Sequence, residues 1–151
     1  MRYILFISLF LLITSCGDNI GPNANYVSFE IDGVFWESND ITASGTAAGS
    51  GIISVDILAR NTLGEKLEIK VFSGNQNAIE YVFDQSIGIT YTPSGSLNTA
   101  YQSNNCTNVS GGIIFSERAI NFVSGTFRGA VCLPSGEVKQ IRNGFFNQVI
   151  L

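Results

Sequence analysis

The sequence predicts an all-β domain, on three observations. Ile53, Val55, Ile57 and Ala59 alternate with Ser54, Asp56, Leu58 and Arg60, and after residues 61–65 Leu67, Ile69 and Val71 alternate with Glu68 and Lys70. A half-buried sheet needs this period of two, because successive side chains point to opposite faces. Asp32-Gly33 stands between two runs of β-branched and aromatic residues, the signature of a two-residue hairpin turn in which glycine supplies a positive φ. No window longer than ten residues keeps a helical period without Gly, Pro or β-branched residues breaking it. Together these predict a single antiparallel meander of about nine strands, closed as a barrel or folded as a two-layer sandwich.

The elements follow in order. Residues 26–31 and 34–37 form the first hairpin, and the small residues 43–51 read as a loop. The alternating segments above form the second hairpin. Residues 78–83 and 87–91 are two short strands, 92–96 a turn, and 97–110 shows no regular pattern. Residues 111–116 and 120–123 pair around Glu117-Arg118-Ala119. Beyond that turn the inward set switches from the parity of Ile120 and Phe122 to that of Phe127, Gly129 and Val131, which a β-bulge at Ser124-Gly125 explains. The last hairpin turns at 133–137, and 138–151 returns as a long strand interrupted at Asn143-Gly144. Pairing of this strand with the first would remove an exposed edge.

The amino terminus has a different character. Arg2 precedes an apolar run over residues 3–13, too short to span a bilayer but of the length of a signal peptide core. Ile13-Thr14-Ser15-Cys16 resembles a lipobox, which implies cleavage before Cys16 and lipidation of its sulfur. The expected organisation is a leader over 1–15, a flexible tether over 16–25 reaching about 30 Å, and one domain over 26–151. Several acyl chains at Cys16 make a membrane anchor effectively permanent. The expected location is therefore the cell envelope, with Asp18 pointing weakly to the outer membrane, on its periplasmic face or at the cell surface.

Composition narrows the chemistry. Eight basic and 12 acidic side chains give −4, and loss of Arg2 with the leader makes it −5, which argues against a nucleic-acid partner. Histidine is absent, so Ser-His and Cys-His nucleophile pairs and His-ligated zinc are excluded. With Cys16 lipidated, Cys106 and Cys132 form the economical disulfide of an oxidising compartment, across 26 residues. The alternatives are two buried thiols or half of a metal site without further soft ligands. Counting strand partners outward from residue 118 sets position 106 opposite about 130 to 132 once a bulge is allowed.

No catalytic, metal or cofactor motif emerges. Asp32, Glu37 and Asp40 cluster around the first hairpin, but a turn position and strand ends account for them. Trp36, Tyr91 and Tyr101 are the candidate ligand-binding residues, able to line an apolar pocket or stack on a sugar, although a lone Trp beside a turn also serves as a core plug. In Phe35-Trp36 and Phe145-Phe146 one ring of each pair must face outward.

The lipobox at Cys16, Phe29-Glu-Ile-Asp-Gly33 with Trp36, Ile79-Glu-Tyr-Val-Phe83, Ser124-Gly-Thr-Phe127 and Ile141-Arg-Asn-Gly-Phe145 together resemble a family of small lipoproteins common in Bacteroidota, a domain of unknown function described as lipocalin-like. The resemblance implies an anchored β-domain and transfers no catalytic residue. The functional expectation is a non-enzymatic binding or interaction module. Its partner would be the membrane through the anchor, together with a small hydrophobic or glycan ligand or an envelope protein. An accessory subunit with a filled interior and a carboxylate-only hydrolase stand behind it.

Overall fold

A computed structural model describes residues 24–48, 51–72, 80–95 and 99–151, so the leader, Cys16, most of the tether, Ala78 and Ile79 lie outside the described residues. Eleven strands are present among them: β1 (Tyr26–Ile31), β2 (Val34–Ser38), β3 (Asp40–Ala48), β4 (Gly51–Arg60), β5 (Lys66–Phe72), β6 (Glu80–Val82), β7 (Ile87–Thr92), β8 (Tyr101–Gln102), β9 (Gly111–Arg118), β10 (Phe122–Cys132) and β11 (Val138–Ile150). One 3-10 turn, Ser103–Asn105, follows β8. All pairings are antiparallel, in the order β2-β1-β11-β10-β8-β7-β5-β4-β3, with β9 also on β10 and β6 on β9.

This sheet is nearly closed into a barrel. The two ends of the path belong to one bent run of chain, because Ser38 pairs with Val27 and Asp40 two residues later pairs with Arg60. The buried Ser38 hydroxyl marks the corner, donating to the Arg60 carbonyl and accepting the Asp40 N–H. At the other end of the barrel the Leu151 side chain lies over Gly45, where an added Cβ would sit 2.8 Å from Leu151 Cδ1. The first and last strands pair as expected, with Val27 opposite Phe146 and Ile31 opposite Ile141.

Both expected hairpins are present. Asp32 and Gly33 have φ of 52° and 81°, the two positive angles of a type I′ turn. In the second hairpin Val55, Ile57, Ala59, Leu67, Ile69 and Val71 are buried, with Ile57 opposite Ile69.

Three expectations about the strands need correction, and so does a fourth, about the position of Cys106. The small residues from Ala43 onward are not a loop: β3 pairs with β4 residue by residue, Ala43 with Ile57 and Gly45 with Val55. Backbone pairing to a strongly patterned neighbour carries this strand, and small side chains leave no alternation to read. The meander is interrupted where β6 joins β9 and β7 pairs directly with β5. Asp84 turns the chain between them, its Oδ1 accepting the N–H groups of Ser86 at 2.6 Å and Ile87 at 2.9 Å.

The third correction concerns the register slip at Ser124-Gly125, which occurs where expected but leaves β10 itself regular. The extra residues belong to its neighbours: β9 advances two residues against one, and β11 three against two. Val123 therefore faces the core with Phe127 and Val131, Phe122 is only half-buried, and Ile120 is 88 % exposed in the turn.

The interior is filled by a continuous set of ring contacts. Tyr81 meets Phe115 at 5.6 Å, Phe115 meets Phe146 at 5.6 Å, Phe146 meets Phe127 at 6.3 Å, and Phe127 meets Phe29 at 5.9 Å. From Phe29 contacts run to Trp36 at 4.6 Å and Tyr91 at 6.3 Å, and from Tyr91 to Tyr101 at 6.3 Å. A cation covers each end: the Arg118 guanidinium 5.7 Å from the Phe115 centroid, and Lys139 Nζ 5.1 Å from that of Tyr101. Two rings lie on glycines. A Cβ at Gly125 would come within 2.5 Å of the Phe146 ring, and one at Gly144 within 2.5 Å of the Phe127 ring, so bare backbone at both positions is what lets the aromatics fill the barrel.

Cys106 and Cys132 are joined as a disulfide, Cα to Cα 5.1 Å. Cys106 is not on the strand opposite β10, as register counting suggested. It follows the 3-10 turn, and Gln102 of β8 is the residue that pairs with Cys132.

Candidate functional site

The strand directions bring three turns to one end of the barrel: Asp32-Gly33 after β1, residues 61–65 after β4, and residues 133–137 after β10. Between the first two lies a mouth of about 460 Å³ floored by Trp36 and Tyr91. Val34, Phe35 and Leu63 stand on its rim, each at least 61 % exposed.

All three aromatics nominated from sequence sit at this end, but as wall and core. Trp36, Tyr91 and Tyr101 are no more than 5 % exposed, so their rings plug the barrel, and of the three only Trp36 and Tyr91 line the mouth. The Tyr91 hydroxyl donates to Glu65 Oε1 at 2.7 Å, and the Tyr101 hydroxyl donates to Glu137 Oε1 at 2.5 Å. Trp36 Nε1 is buried and meets no acceptor among the described residues. Such an unsatisfied donor carries a penalty of about 1–3 kcal/mol until an acceptor reaches it.

The polar groups around the mouth are held by local turn chemistry. Asn61 Oδ1 accepts the N–H groups of Leu63 at 3.1 Å and Glu65 at 3.0 Å, while its Nδ2 donates to Glu65 Oε2 at 2.7 Å. Glu65 is thereby fixed to receive Tyr91. Asp32 Oδ1 accepts the Gln140 N–H at 3.0 Å and Oδ2 accepts Lys139 Nζ at 3.0 Å. Glu37 receives the Tyr26 hydroxyl at 2.9 Å. Of the three acids grouped in the sequence, Asp32 and Glu37 line the mouth and Asp40 does not.

The shifts at Tyr91, Tyr101, Asp32 and Lys139 all favour the ordinary charge state of the group. Burial and then the bond to Glu65 push the Tyr91 hydroxyl well above the usual phenol range, and the bond to Glu137 raises Tyr101. The Gln140 N–H, followed by Lys139, holds Asp32 below the usual carboxylate range, and Asp32 in turn raises Lys139. The mouth therefore presents apolar surface beside the Tyr91 hydroxyl, the Asp32 carboxylate and the Lys139 ammonium.

The lowered Asp32 value has a consequence for stability. Its contribution is complete above the unfolded carboxylate value of about 4 and is lost as pH falls toward the folded value. Asp32→Asn keeps the left-handed turn and an acceptor for Gln140 while removing the charge. Because this carboxylate is 45 % exposed, the expected cost at pH 7 is under about 1 kcal/mol. The difference from wild type should shrink at pH 3, measured by urea midpoints. An unchanged difference would assign the effect to the turn alone.

Sequence reasoning missed Glu65, Leu63, Glu137 and Lys139. Asn61 four residues before Glu65 is a local signal for the first. Lys139 meets Asp32 across 107 residues and left none.

Fold and site together define an antiparallel, side-chain-filled, nearly closed β-barrel domain with a concave mouth at one end. The chain belongs to the family described as domain of unknown function DUF6252, whose model matches residues 23–150. No curated protein and no solved structure matches it.

Proposed function

We propose that this domain is a binding or interaction module, anchored at the cell envelope through lipid on Cys16 and making contact through the barrel mouth. The observation that carries the reading is the collection of Val34, Phe35 and Leu63, all exposed, around one concave mouth above a filled interior. Because β1 runs from the tether toward the mouth over six residues, about 20 Å, the mouth lies at the end of the barrel opposite the point where the tether attaches, which leaves it open to a ligand. A small hydrophobic or glycan ligand fits the rim, in the outer membrane on either face. The packed interior favours a second reading, an accessory subunit of an envelope complex that contacts a protein through the same rim.

Native mass spectrometry of protein extracted from its own membrane separates them. Wild type should carry an added small mass, or a protein subunit under the second reading, and Phe35→Ser with Leu63→Ser should lose it. Absence of the chain from the membrane fraction would contradict the anchor, and an adduct unaffected by the double change would contradict the rim.

A further inference from the structure

The outer wall of the barrel carries a second feature, on β9, β10 and β11. Between the pairs Phe127–Gly144 and Gly129–Ile141, β10 advances two residues and β11 three, with Asn143 in the left-handed region at φ 52°. A bulge of this kind sets two residues against one, so Arg142 and Asn143 both flank Arg128. On its other side Arg128 pairs with Gly112, which offers no side chain, and a Cβ there would lie 2.7 Å from the Tyr81 carbonyl. Two depressions of about 580 and 450 Å³ meet here, sharing Gly111, Arg128 and Asn143.

The charges in this trough are not internally matched. Arg128 and Arg142 are exposed, and among the described residues neither lies in an ion pair, whereas Lys70 and Lys139 do. Glu30, the cross-strand neighbour of Arg142, instead accepts Asn143 Nδ2 at 3.0 Å. In a chain of net charge −4, two neighbouring guanidiniums that are in no ion pair among the described residues can receive an oxyanion. The neighbouring depression continues the trough with different chemistry: Phe145 and Ile114, each 38 % exposed, beside Glu80 and Thr126.

We propose that this trough binds an acidic saccharide, its carboxylate held by Arg128 and Arg142, the apolar face of its ring on Phe145, and its hydroxyls on Glu80, Thr126 and Asn143. A sugar acid carries all three kinds of group at adjacent positions, and a bare anion uses only the arginines. Nucleic acid is disfavoured by the acidic chain and by Glu80 and Glu30 at the trough edges.

The test is an NMR titration of arginine Nε–Hε signals with glucuronate, glucose and inorganic phosphate. Glucuronate should shift Arg128 and Arg142 saturably and leave Arg60 still, with glucose at least tenfold weaker. The double change Arg128→Gln with Arg142→Gln should abolish the response, and both positions are exposed, so its urea midpoint should match wild type. Phe145→Ser should weaken glucuronate several-fold and leave phosphate unaffected. Absence of a saturable glucuronate shift, its persistence in the double variant, or phosphate binding as tightly as glucuronate with Phe145→Ser silent would overturn the proposal.

Discussion

Replacing Phe146 with alanine is expected to lower stability by about 3–5 kcal/mol, the range for removing a fully buried aromatic ring. Phe146 is fully buried on β11, between Val27 of β1 and Gly125 of β10. Its ring touches Phe115 and Phe127 and covers the bare backbone of Gly125. The cavity cannot be refilled by a small shift, because the rings on both sides are themselves held by further rings. At about 3 °C per kcal/mol for a domain of this size, the melting temperature should fall by about 10 °C or more. The urea midpoint should move with an unchanged slope, and a loss below about 1 kcal/mol would mean that the barrel interior is not packed as described.

Reduction of the Cys106–Cys132 bridge is the other large effect. Closing 26 residues is worth about 3.5 kcal/mol in the chain-entropy account. Its position gives it more to do than shorten the unfolded chain. The step from β10 to β7 passes through β8, which has only two residues and a single paired position with β10, Gln102 opposite Cys132. Few other contacts secure that seam: Asn105 Nδ2 donates to the Cys132 carbonyl at 3.3 Å, and the Ser103 hydroxyl accepts the Ile89 N–H at 3.1 Å. Reductant should therefore lower the melting temperature by about 10 °C, with β7 and β8 losing amide protection first. Two thiols reactive without reductant, or a melting curve indifferent to it, would contradict this.

What the sequence disclosed follows from which interactions are local. The Asp32-Gly33 hairpin and the alternation of 53–59 with 67–71 were legible because turn geometry and period are written within a few residues. β3 was hidden because its Ala, Ser, Gly and Thr residues carry no pattern and are ordered by β4. The slip at Ser124-Gly125 was legible as a glycine, but which strand holds the extra residue depends on the neighbours. Cys106 and Cys132 were paired by elimination, through a 3-10 turn that counting along strands could not supply. At the mouth, Trp36, Tyr91 and Tyr101 were found as aromatic types and came together, yet their burial reflects a filled barrel that no single strand reveals. Lys139 and Glu137 reached the site only through the pairing of the last strand.

That last pairing is the central claim, and amide hydrogen exchange along β1 tests it most directly. β1 lies between β2 and β11, so amides of both parities from Val27 to Ile31 have a partner strand. Pairing of β1 with both β2 and β11 predicts uniformly slow exchange over this segment. Alternation, with every second amide exchanging as fast as an exposed edge, would mean that the first and last strands do not meet.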